Sequence, residues 1–153
     1  MNLILTTYNR PDYLKTSIDS LLKTKFEKDT LWIYDDYSTD FEVVTTLSNI
    51  PVKELSAAGK LEVKISYNDS HYGCDLNIYN SVMSTINKLR PLDATCALDR
   101  VNDQFVFILD SDGIYNPNWL NLVKLNLSPI LTAGDKIGAL HQFIKLQQLH
   151  LKL

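Results

Sequence analysis

Five consecutive apolar residues, Phe105 to Leu109 (FVFIL), run straight into Asp110, Ser111 and Asp112. A run of that length with no polar interruption suits a central strand buried on both faces of a parallel sheet. Its abrupt acidic end sets two carboxylates just beyond the strand's carboxyl end. Two other segments have the same form. Asn2 to Thr7 (NLILTT) opens into a loop at Tyr8, and Leu31 to Tyr34 (LWIY) ends at Asp35 and Asp36.

Helical patterns lie between these runs. Pro11 suits a first helical turn, and Tyr13, Leu14, Ile18, Leu21 and Leu22 follow it at helical spacing. Ser38, Thr39 and Asp40 supply capping chemistry for a helix through Leu47, and Asn49 to Pro51 ends it. Leu61, Val63 and Ile65 alternate with Glu62 and Lys64, which predicts a strand with one wetter face near the sheet edge. Tyr79, Val82, Met83, Ile86 and Leu89 describe an amphipathic helix that should pack on the sheet. A further helix is expected from near Pro117 through Trp119, Leu120 and Val123, and a short strand around Ile137 to Leu140. Strands alternating with helices predict an α/β fold, an open, mostly parallel sheet with helices on both faces. In such sheets ligands collect beyond the carboxyl ends of the strands, where Tyr8, Asp36 and Asp110 to Asp112 all belong.

The remaining composition narrows the function classes. With 153 residues, one domain covering 1–153 is expected, and 45% hydrophobic against 22% charged residues excludes disorder. A net charge of -3 with scattered Lys and Arg argues against a nucleic-acid partner. Cys74 and Cys96 have no paired metal-ligand spacing, so reduced thiols and a cytoplasmic location are expected. No apolar run approaches the roughly 20 residues that cross a bilayer, which leaves only peripheral membrane contact.

Taken by themselves, the polar sites admit two readings each. Asp110 and Asp112 can offer oxygens to Mg²⁺ or Mn²⁺ bridging a diphosphate, or form a solvated turn. One carboxylate of Asp35 and Asp36 can accept a base N–H while the other orients the loop, or the pair serves as helix-capping residues. Tyr8 offers a stacking face or fills a core or lid. Arg10 either approaches a nucleotide or stays in solvent, and His71 either meets a phosphate or sugar hydroxyl or is structural.

Four blocks in order add a resemblance. TTYNRPDYLKTSIDSLL at Thr6 to Leu22, IYDDYSTD at Ile33 to Asp40, NDSHYGCDLNIYNSV at Asn68 to Val82 and FVFILDSDGIYNP at Phe105 to Pro117 together resemble the family 2 glycosyltransferases of GT-A fold. The third block is the loosest. The resemblance implies that Thr6 and Tyr8 lie around the nucleotide, that Asp36 addresses the base edge with Asp35 as its acidic neighbour, and that Asp110 sits near ribose and phosphate. It further implies that Asp112 is the direct metal ligand, with Mn²⁺ or Mg²⁺ as cofactor and a UDP-sugar as donor. The sequence also departs from that pattern. The family's Ala-Arg-Asn arginine has no counterpart in NIYN at Asn77 to Asn80, and Leu92 to Gln104 is longer than the usual link.

If transfer to a glycan, lipid or protein acceptor inverts the anomeric centre, a general base should lie near the attacking hydroxyl, and no residue after the metal motif identifies itself as one. The tail His141 to Leu153 (HQFIKLQQLHLKL) contains no carboxylate and suits completion of the fold, peripheral membrane contact or a homo-oligomer surface. The acceptor-side portion is thus expected to be short or missing. The leading expectation is a metal-dependent glycosyltransferase. Its alternatives are a nucleotide-sugar-binding module with an incomplete catalytic site and another α/β nucleotide enzyme, such as a nucleotidyltransferase, or a phosphoryl-accepting regulatory domain.

Overall fold

The computed structural model describes residues 1–89 and 106–132, with 126–132 described for backbone alone. It divides after Pro117 into two units. The first contains β1 (Asn2–Thr7), α1 (Pro11–Leu21), β2 (Asp29–Asp35), α2 (Phe41–Ser48), α3 (Val52–Ala57), β3 (Leu61–Tyr67), α4 (Cys74–Leu89) and β4 (Val106–Leu109). Within the second, the described element is α5 (Trp119–Thr132), which begins where the Pro117 signal predicts. The expected strand around Ile137 to Leu140, the link Leu92 to Gln104 and the tail from His141 lie outside the described residues.

The four described strands form one sheet in the order β3-β2-β1-β4, and every pair is parallel. Registration aligns Thr7 with Asp35 and Asp35 with Tyr67, while Leu5 pairs with Leu109. All four carboxyl ends therefore open on one edge. The order also explains the placement of helices. Right-handed crossovers from β1 to β2 and from β2 to β3 step one way along the sheet, whereas β3 to β4 returns past both, so α4 covers the opposite face from α1 and α2. Alternation along the strands supplies both faces with apolar side chains. Leu3, Leu5, Leu31 and Ile33 are fully buried on one face, and Ile4, Trp32 and Tyr34 form a cluster on the other, where Val82 and Leu89 of α4 pack.

Burial in α4 differs from the amphipathic expectation. Its buried residues are Asn77, Ser81 and Thr85, while Tyr79 is 61% exposed and Met83 37%. The reason lies in the partners: Tyr34 and Thr85 share a buried hydroxyl hydrogen bond of 2.9 Å, and Asn77 Oδ1 accepts from Asn68 Nδ2 at 3.0 Å. Small polar residues at i, i+4 and i+8 thereby satisfy groups that an all-apolar stripe would strand. In α1, Leu14, Ile18 and Leu21 are buried as expected but Tyr13 is 61% exposed.

Within the described sheet β3 is an edge strand, with Leu61 and Val63 buried and Glu62 and Lys64 exposed, as its alternation predicts. β4 corrects the central-strand expectation for FVFIL within the described sheet, because it pairs there with β1 alone and Ile108 is 43% exposed. An apolar run reports a preference for burial, not the neighbours that provide it. Among the described residues no helix is long and apolar enough to cross a membrane.

Candidate functional site

Three loops and one turn meet at the carboxyl edge of the sheet, and short polar side chains tie them together. The β1–α1 loop is held by Asn9, at φ 44°, a left-handed conformation that asparagine tolerates. Its side-chain Oδ1 accepts from the backbone N–H groups of Thr39 (2.9 Å) and Asp40 (3.0 Å), and its own N–H donates to Ser38 Oγ at 3.0 Å. The loops after β1 and β2 are thereby one hydrogen-bonded body.

Asp35 and Asp36 divide their work. Asp35, buried, accepts from the Ser38 N–H (2.8 Å) and Ser38 hydroxyl (2.6 Å), which curls the β2–α2 loop back on the strand. Asp40, further along, accepts from the Glu42 N–H at 2.9 Å and caps α2. Asp36 turns the other way. Its Oδ1 accepts from Asn68 Nδ2 (2.9 Å) and the Tyr72 N–H (3.0 Å), its Oδ2 accepts from the Gly73 N–H (3.0 Å), and His71 Nδ1 lies 2.8 Å from the same Oδ2. The carboxylate is buried, and its backbone N–H is fixed by the Thr7 carbonyl at 2.9 Å. Gly73 adopts φ 83°, a conformation that admits a glycine readily and lets the loop close over Asp36. His71 in turn stacks on Tyr8, with ring centroids 3.9 Å apart and planes 17° from parallel.

The Asp-Ser-Asp segment forms a turn closed by the Gly113 N–H donating to the Asp110 carbonyl at 3.2 Å. α1 supports that turn with two buried hydroxyls: Ser17 Oγ donates to the Asp110 carbonyl at 3.4 Å, and Ser20 Oγ accepts from the Tyr115 N–H at 3.0 Å. The Tyr115 hydroxyl also donates to the Asp110 carbonyl, at 2.8 Å. Burial, then the negative charge of Asp110, pushes the Tyr115 phenol well above its ordinary range. Tyr67, at the end of β3, is raised for the same first reason, with Asp35 as the charged neighbour.

Asp110 and Asp112 keep their carboxylates exposed, and Arg10 Nη1 stands 3.5 Å from Asp112 Oδ2. Thr6 is half-buried on β1, opposite Tyr34 in the register. All the residues singled out from the sequence therefore lie at the carboxyl edge or the last turns leading to it, with Tyr8 and Arg10 two residues apart on one loop. Sequence reasoning did not single out Asn9, Asn68, Ser17 or Ser20. Their signal was small hydrogen-bonding residues at loop starts and within an apolar helix stripe, a pattern that composition alone does not flag. Among the described residues no group of three or more His, Cys, Asp and Glu is clustered as a metal cage.

A parallel sheet with helices on both faces and a polar carboxyl edge is a Rossmann-like α/β arrangement, and comparison with known proteins gives its type. Residues 3–46 match the family described as glycosyl transferase family 2. The structure of residues 1–349 of S. aureus TarS in complex with UDP-GlcNAc superposes with a TM-score of 0.58 at 20% identity, covering 84% of this chain and 31% of that one. The mannosyltransferase PcManGT from Pyrobaculum calidifontis, in complex with GDP-Man and Mn²⁺, gives a TM-score of 0.58 at 13% identity, covering 83% of this chain and 32% of that one. No curated protein sequence matches. The chain has the GT-A-type fold, its family 2 match covers the β1–α1–β2–α2 segment, and it spans about a third of the length of these two structures.

Proposed function

We propose that this chain binds a nucleoside diphosphate sugar, as the donor half of a glycosyltransferase site. The observation that carries the reading is the reach of the Tyr8 to Arg10 loop: Tyr8 stands against the partner of Asp36 at one end, and Arg10 pairs with Asp112 at the other. A base at the Tyr8 and Asp36 end and a diphosphate at the Arg10 and Asp112 end are then spanned by a single loop. Tyr8 supplies the face, Asp36 the acceptor for a base N–H, Thr6 the adjoining strand surface, and Asp35 the shape of the β2–α2 loop. Arg10 meets phosphate charge.

The exposed carboxylates of Asp110 and Asp112 suit Mn²⁺ or Mg²⁺, which accept one or two protein carboxylates and complete their shell with phosphate and water. A bound ion supplies Lewis-acid stabilisation of the departing diphosphate. The turn itself is held by Ser17, Ser20 and Tyr115, so the protein's part is to present the two carboxylates without rearrangement. The polar convergence is on the donor side, and this favours nucleotide-sugar binding over complete transfer as the activity of this chain. Transfer that inverts the anomeric centre needs a base near the acceptor hydroxyl, and this reading assigns none.

Calorimetric titration with UDP, UDP-GlcNAc and GDP-mannose, each with Mn²⁺, with Mg²⁺ and with chelator, tests the proposal. Metal-dependent binding of at least one nucleotide is expected, and sugar transfer to candidate acceptors is scored separately. A panel with no nucleotide bound under any condition overturns the reading.

A further inference from the structure

Asp36 is the residue through which a base would be read, yet its carboxylate already has four polar neighbours, three of them hydrogen-bond donors. Two are backbone N–H groups, of Tyr72 and Gly73. A third is the Asn68 amide, itself held by Asn77. The fourth neighbour is the His71 imidazole, whose side chain is 45% exposed and belongs to no element. Only that position can be exchanged without opening the loop.

His71 does two things there at once. Its ring lies on Tyr8 at 3.9 Å, and its Nδ1 sits 2.8 Å from Asp36 Oδ2. A flat ring stacked on the tyrosine with a ring nitrogen set against the buried carboxylate fills the space that a nucleobase reaching both groups would take. Resting on the donor-site reading above, we infer that His71 occupies the base subsite as an internal stand-in, and that a nucleotide enters only by displacing it. The displacing ring must itself donate to the carboxylate, because covering a buried carboxylate with a group that cannot donate to it is costly. Uracil, with its N3–H, and guanine, with its N1–H, carry such a ring donor. Cytosine and adenine present an acceptor nitrogen at the corresponding edge and are disfavoured. His71 thus lowers affinity for every nucleotide by the same factor, while the choice among bases rests with Asp36.

The test uses the full chain with UDP, GDP, CDP and ADP in the presence of Mn²⁺, comparing wild type with His71→Ala and His71→Ser. Removing an internal competitor raises apparent affinity by the inverse of the open fraction, so both variants are expected to bind UDP about tenfold tighter or more. In wild type, saturation with UDP is expected to abolish the nuclear Overhauser contact between the His71 and Tyr8 rings, a readout that needs no variant to fold. UDP bound equally or more weakly by the variants, or a His71–Tyr8 contact that persists in the UDP complex, overturns the stand-in while leaving donor binding intact. Failure of wild type and both variants to bind any of the four nucleotides overturns both readings together.

Discussion

Arg10 and Asp112 face each other with Nη1 and Oδ2 3.5 Å apart, and both side chains stand largely in solvent, 62% and 49% exposed. An exposed pair of that kind contributes about 0–1 kcal/mol to stability, so the fold does not depend on it. Asp112→Asn is therefore expected to leave urea unfolding within about 1 kcal/mol of wild type. Its Mn²⁺-dependent affinity for UDP should nevertheless fall about tenfold or more, the scale on which disturbed metal ligation is felt. Arg10→Gln should weaken UDP binding with and without the metal. Identical affinity and metal dependence in wild type and Asp112→Asn would remove Asp112 from the proposed site.

Asp36 is the opposite case, a buried carboxylate whose stability role can be separated from ligand contact. Asp36→Ala leaves the Tyr72 and Gly73 N–H groups and the Asn68 amide without their acceptor. Loss of such a set is expected to cost about 2–4 kcal/mol, with part of the freed polar surface recovered by water. Asp36→Asn, which keeps one acceptor oxygen, should cost less. Chemical unfolding of the three proteins decides the order, and equal stability would show that the β3–α4 loop is held by other means.

Much of this arrangement is legible in the sequence, because strand ends and helix starts are local events. NLILTT, LWIY and the alternating LEVKI each encode their strand, and Asp40 encodes the cap of α2. What stays hidden is set by distant partners. Asn77, Ser81 and Thr85 are buried only because Asn68 and Tyr34 arrive opposite them, and the exposure of Ile108 depends on which strands flank β4. Asp35 and Asp36 look interchangeable as neighbours, yet successive residues at a strand end point to different loops, one to Ser38 and the other to Tyr72 and Gly73. Pattern reading finds the acidic pair; only long-range pairing assigns each member its partner.

Gly113 tests the support of the Asp-Ser-Asp turn from the other side. A Cβ at this position would lie 2.8 Å from the Tyr115 hydroxyl oxygen and 2.9 Å from its ring carbon Cζ, closer than side chains pack. Gly113→Ala is expected to swing the Tyr115 ring away and break its hydrogen bond to the Asp110 carbonyl. A loss of about 1–2 kcal/mol in unfolding free energy is expected, together with weaker metal-dependent UDP binding. Unchanged Tyr115 ring shifts in the nuclear magnetic resonance spectrum of the variant would show that the turn tolerates the methyl group.

Tyr37 follows the acidic pair with φ 64°, in the left-handed region that an aromatic residue seldom adopts, and its side chain is half in solvent. The strain is offset by Ser38, whose contacts with Asp35 and Asn9 hold the loop in place. Replacing Tyr37 with glycine removes a conformational cost of about 1–2 kcal/mol and adds an unfolded-state entropy of about 0.5–1 kcal/mol, so a net gain of about 0.5–1 kcal/mol is expected. Tyr37→Ala, which retains a Cβ, should show no such gain. Thermal denaturation of both variants is the measurement, and a destabilised Tyr37→Gly would mean that the phenol makes contacts that outweigh the strain.

The last prediction concerns pH and follows from the Tyr115 phenol. Its pKa is raised in the folded chain, first by burial and then by the charge of Asp110, while the unfolded chain keeps the ordinary tyrosine value of about 10. The folded state therefore holds this proton more tightly than the unfolded state does. Stability from the protonated phenol is fully present below the unfolded pKa and is lost as pH rises from there through the folded value, because the unfolded chain is the first to release its proton. Tyr115→Phe removes the titrating group together with its hydrogen bond to the Asp110 carbonyl. Urea unfolding of wild type and Tyr115→Phe, compared from about pH 8 to about pH 11, should show a constant stability advantage for wild type at first, then a narrowing gap above about pH 10. A gap that stays constant across the whole range would show that Tyr115 titrates alike in both states, and that the Asp110 turn does not shield it.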